Sequence, residues 1–209
     1  MDLTELLGRY ALGCRRFPQV DLSFAKLCNL DLRGIHLPQA RLVGVDLEQS
    51  ILRGTYLQGA NLSGASLVET DLAAARLEEV DLVLANLRGA RLLGACLRGA
   101  DLSRACLQEA DLTGAYLAAA HLSQVDAQQA VLVGADLQDA HLAGADLRGA
   151  DLGGAVLQRA KLSLVQLQGA DLSGADLREA NLYGTDLSQV FLDGADLSGA
   201  VLPDGRLHT

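Results

Sequence analysis

Hydrophobic positions recur along this chain with a period of five. Every fifth residue from Leu22 to Leu207 is Leu, in 37 of 38 positions, with Ala127 the one exception. Two residues before each of these stands a smaller one, Ala in 25 of the 38 cases and mostly Val, Thr or Ser in the rest. The residue just before the Leu is Asp or Asn 18 times, and the second residue after it is Gly 18 times. A period of five matches neither the 3.6 of an amphipathic helix nor the 2 of a strand. One large and one small inward residue per five fit a chain that turns a corner every five residues, so that four corners close a square coil of twenty. Successive coils then stack at the strand spacing, with Leu on Leu and Ala on Ala inside and Gly relieving the corners. Residues 20–207 make about nine such coils, a rod about 45 Å long.

The units ADLSG, ADLRG and ANLRG resemble the A(D/N)LXX signature of the pentapeptide repeat proteins, and the opening and tail are similar to those of cyanobacterial members. The resemblance implies an all-β solenoid, a right-handed quadrilateral parallel β-helix, over some nine-tenths of the chain. With no export signal at its start and no catalytic constellation, the sequence is expected to be a cytoplasmic, non-enzymatic protein. Some relatives act as regulators of cell differentiation through protein contacts. Others mimic DNA and bind type II topoisomerases such as gyrase, and these tend to carry a C-terminal dimerisation helix or projecting loops, which this sequence lacks.

The ends depart from the repeat, as the terminal units of a soluble solenoid must. Leu3, Leu6, Leu7 and Tyr10 share one helical face and Gly13 is a stop signal, which predicts a capping helix over residues 2–12 within an N-terminal segment 1–19. Val20, Leu30, Ile35 and Val45 enlarge the small inward positions and provide a floor for that helix. The end VLPDGRLHT offers only a turn before the tail residues 208–209, so end-to-end pairing of two copies through the C-terminal coil is open. At the one defect, Val125 beside Ala127 returns part of the lost volume, and only a small cavity is expected.

Candidate chemistry is sparse. The four Cys map onto sites too far apart for disulfides and form no C-x-x-C pair. His121 and His141 fall twenty residues apart and should stack, with Asp101 below and Lys161 above; such a column could hold a transition metal but reads more simply as a surface ladder. No catalytic constellation or phosphate-binding glycine loop is present, and a smooth rod encloses no substrate, so no cofactor or metal is expected. The Asp residues read as turn acceptors for backbone N–H groups.

Charge narrows the partners. The chain has 26 acidic and 17 basic residues, a net charge of −9, which disfavours direct nucleic-acid binding. No run reaches the ~20 apolar residues of a membrane helix, and the acidic start MDLTELLGRY is unlike an export signal. Summed by face, three sides of the square carry −3 each and the side of Leu22 and Leu42 only −1. That side also points Phe24, Val43, Val83, Leu84, Leu164, Tyr183 and Val201 outward, the candidate surface for an unidentified protein partner. The opposite side, with Ile51, Leu93, Val131, Val133 and Phe191, has a weaker claim. Spread over the whole rod, the negative charge is about a third of that of duplex DNA per unit length, which ranks a topoisomerase below a protein adaptor. A structural spacer with no stable partner is the remaining alternative.

Overall fold

The computed structural model describes residues 3–209. From Arg16 onward the chain is a ladder of single parallel β-bridges, each joining residues twenty apart: Arg16 to His36, His36 to Tyr56, and so on round the coil up to Asn181 to Val201. The Leu22 N–H donates to the Arg41 carbonyl at 2.8 Å, and the Arg41 N–H donates to the Val20 carbonyl at 2.8 Å. Between these rungs the Ala25 N–H reaches the Leu22 carbonyl at 3.0 Å and closes a β-turn. A corner every five residues leaves room for only one bridged residue per side.

The third residue of these turns is left-handed. Every such position from Gln19 to Gly199 except Gln189 has φ between 54° and 73°, and eighteen of them are not glycine. Phe24, Leu84 and Leu164 are among these eighteen, at φ 59°, 60° and 59°. A side chain in this region costs roughly 1 kcal/mol over glycine. The stacking of coils imposes the corner, and glycine only makes it easier.

Inside, Leu22 to Leu182 are at most 4% exposed throughout the series. The stack begins one unit earlier than the Leu pattern, because Phe17, 2% exposed, fills the same place. Ala127 and Val125 are both buried, and the Ala127 N–H still reaches the Asp146 carbonyl at 2.8 Å, so the register survives the defect. Four buried hydroxyls replace Ala on the inner wall, and each donates to a carbonyl: Ser50 to Leu27, Thr55 to Leu52, Thr70 to Leu47 and Thr185 to Leu162.

The ends differ. Helix α1, Leu3–Ala11, lies over the first coil with Leu6 buried and Leu3, Leu7 and Tyr10 packed on the core. Met1 lies outside the described residues, as does Asp2, where the expected helix would begin. Gly13, at φ 93°, ends the helix and donates its N–H to the Tyr10 carbonyl. Val20, Ile35 and Val45 are buried below, with Leu30 partly so. At the far end Leu187, Val190, Leu192 and Leu197 are only partly covered. The period of five persists in sequence to Leu207, but the chain leaves the coil at Pro203. It folds back so that Val201 and Leu207 pair antiparallel, which leaves Leu207 66% exposed. This hairpin edges one side of the last coil and leaves the rest open.

Candidate functional site

The turn acceptors account for most of the acidity. All eighteen Asp and Asn residues directly before the Leu series, Ala127 included, accept the N–H of the residue two further on, from Asp21 with Ser23 at 3.1 Å to Asp196 with Ser198 at 3.0 Å. These bonds lock the corner. They also hold the carboxyl pKa values of Asp21 and Asp186 below the ordinary range, since a bonded N–H favours the charged form, and at Asp196 the Ser198 hydroxyl leads and the N–H adds to it. Arg33 and Arg178 act with the same locks on Asp31 and Asp176 and lower them further.

The side of Leu22 carries its outward apolar residues in three islands. Phe24 is 76% exposed and lies against Gly44 of the next coil, beside half-buried Val43: a Cβ on Gly44 would stand 2.7 Å from the Phe24 ring. Half-buried Val83 and exposed Leu84 form the second island, three coils on. Leu164 and Tyr183 form the third, with Leu164 over Gly184 and half-buried Val201 beyond. The strand spacing separates the three islands by roughly 14 and 19 Å. On the opposite side Phe191, Ile51 and Val133 are exposed and stand coils apart.

His121 and His141 stack edge to face with ring centroids 4.8 Å apart. Burial, with Lys161 and His121 adding to it, lowers the His141 pKa. Among the described residues no group of three metal-binding side chains converges. The four cysteines are free thiols.

Two features escaped the reading by faces. Residues 1–104 hold twelve acids and twelve bases, whereas residues 105–209 hold fourteen acids and five bases, so the net charge of −9 belongs entirely to the C-terminal half of the rod. A sum taken along the axis would have found it. The second is the column Arg16, His36, Tyr56, Arg76, Cys96 and Tyr116 on the side of Leu37, six successive coils with no Asp or Asn. A count of departures from the repeat, column by column, would have revealed it.

The fold and its outer surface thus define a class, the open-ended four-sided β-solenoids, whose candidate functional surface lies outside the rod. The family model for pentapeptide repeats matches as eight copies over residues 17–54, 40–72, 65–104, 105–142, 135–174 and 160–199. The chain belongs to the pentapeptide repeat proteins, whose fold is the right-handed quadrilateral β-helix. It is similar to HetL, a pentapeptide repeat protein involved in heterocyst differentiation regulation in the cyanobacterium Nostoc sp. strain PCC 7120, at 38% identity over 100% of both chains, with a TM-score of 0.62. It shares its fold with QnrB1, a plasmid-mediated fluoroquinolone resistance protein, at 19% identity over 87% of this chain and 91% of that one, also with a TM-score of 0.62. No curated protein sequence matches the chain. Among the described residues no helix is long and apolar enough to cross a membrane.

Proposed function

We propose that this protein is a cytoplasmic, non-enzymatic interaction rod, a regulatory adaptor that binds a protein partner through the side of Leu22. One observation carries the reading: Phe24, Leu84 and Leu164 occupy left-handed corner positions in one column where glycine would relieve the backbone, and all three are exposed. Large apolar side chains exposed in one column, where most other corners carry glycine or a polar residue, are a mark of contact with something outside the chain. The rod holds them at fixed spacing, so a partner that bridges two islands binds without ordering the surface first. The similarity to HetL, described as involved in heterocyst differentiation regulation, supports the adaptor role.

Replacing Leu84 and Leu164 with Glu leaves the inward stack untouched. The double variant should keep its melting temperature and lose the partner recovered with the wild type by quantitative pull-down from the source cell. Equal recovery by both proteins would remove this side from consideration.

The charge gradient favours a second reading, an inhibitor or protector of a type II topoisomerase. The C-terminal half carries nearly two net negative charges per coil, against about 2.8 for duplex DNA over the same length. In that reading gyrase supercoiling is inhibited at micromolar protein, and a flat dose response excludes it. An end-to-end homodimer through the partly covered C-terminal coil is consistent with either role.

A further inference from the structure

We propose that the N-terminal half of the side of Leu37 is a second binding surface, built to take an extended acidic segment of a protein partner. The inference rests on the interaction-rod reading but concerns a different side from the one that bears Leu84.

Every Asp or Asn directly before the Leu series locks its corner, so each replacement forgoes a hydrogen bond. In the other three columns the replacements are short; the longest is His121, His141 and Lys161. Here they run through six coils, Arg16, His36, Tyr56, Arg76, Cys96 and Tyr116, linked rung to rung by the parallel bridges. The replacing side chains form a stack of their own: the His36 and Tyr56 ring centroids are 4.0 Å apart, and the Arg76 guanidinium lies 5.5 Å from the Tyr56 centroid. A depression of about 400 Å³ follows, lined by Arg76, Glu78, Gly94, Cys96, Arg98 and Tyr116, so that two guanidinium groups face one carboxylate there. Arg98 forms no ion pair among the described residues, and Arg76 shares its charge with Glu78 at 3.2 Å. Tyr116 is half exposed.

Arginines interspersed with aromatic rings along one column suit carboxylates, which the guanidinium fork binds in pairs, with apolar side chains lying between them on the rings. Five rungs span roughly 24 Å, the length of about seven extended residues. Charge selects a protein over a nucleic acid. Beyond Tyr116 the same column turns to Asp136, Asp176 and Asp196, and the whole C-terminal half is acidic. A phosphate chain continuing along the rod would be repelled there, whereas a short acidic segment ends before it.

The test is fluorescence anisotropy at about 20 mM salt, where screening is weak. The probes are a labelled nine-residue peptide alternating Glu and Tyr, its Lys–Tyr counterpart, and a twelve-residue oligothymidylate. The acidic peptide should bind saturably to the wild type and to Leu84→Glu/Leu164→Glu, and the Lys peptide should not. Arg76→Glu/Arg98→Glu should raise its Kd by about tenfold or more, whereas Arg104→Glu/Lys161→Glu, the same charge change on another side, leaves it within about twofold. Thermal melts establish that all three variants remain folded. Absence of binding to the wild type, equal loss in both charge-reversal variants, or oligothymidylate binding lost with Arg76 and Arg98 would each overturn the assignment. Failure of the Leu84 surface in the pull-down leaves this result standing, so the two readings are separable.

Discussion

At the scale of the residue, one atom carries much of this fold: the Asp Oδ1 that accepts the N–H two residues on. Asp21 and Asp186 bind that N–H and so titrate below the ordinary carboxyl value of 3.8. The folded state therefore prefers the charged form. The locks contribute in full above the ordinary value and are lost as the pH falls through the lowered ones. A melting temperature flat from neutral pH down to about pH 5 and falling steeply below about pH 4 is expected from scanning calorimetry. A decline that begins near neutrality would point to the histidines instead. This role also explains why an acidic composition was a poor guide to partners: Asp is abundant because corners need it. The residues that break the rule were more informative than those that follow it.

The element of this protein is the five-residue side with its corner, and its limits show where two corners meet. Gly44 has φ 59°, and the Phe24 ring lies over it. Gly44→Ala should destabilise the rod by about 1–3 kcal/mol, combining left-handed strain with a displaced ring. In Phe24→Ala/Gly44→Ala the steric part should vanish and about 1 kcal/mol of strain remain. Additive losses in a double-mutant cycle of melting midpoints would mean that the ring simply moves aside. The other element, α1, was legible from the spacing of Leu3, Leu6, Leu7 and Tyr10, because an apolar face at helical period has few other uses. Phe17 was not, since a search for Leu passes over a larger residue in the same stacked place.

For the molecule as a whole, the two ends of the stack are unequal. α1 and a widened floor cover one, whereas at the other the Gln166–Asp186 bridge is missing, Gln189 is the one corner in the series outside the left-handed region, and Leu187 to Leu197 are partly exposed. In a solenoid each coil is held by its neighbours, so fraying starts where a neighbour is missing. Hydrogen exchange should show protection lowest over residues 186–202, rising through the two preceding coils and high from Leu22 to Leu142. Uniform protection up to Val201 would indicate that something covers that end, with a second copy as the first candidate.

The sequence alone determined the period, the inward pair and the capping helix, because burial at fixed spacing leaves a direct trace in residue type, whereas the bridges between residues twenty apart fixed four sides. It also determined how charge divides along the axis, which is a matter of counting. The tertiary structure decided which residues become neighbours across coils. It decided that eighteen residues other than glycine take the left-handed corner, that Phe24 and Leu164 rest on glycines twenty residues later, and that the outward apolar residues form separate islands. It also parted Leu207 from the series that its spacing continues. The physical reason is that inward positions answer to one uniform demand, close packing. An outward position answers to its neighbours one coil away, and their backbone and side-chain geometry is fixed only once the coils are stacked.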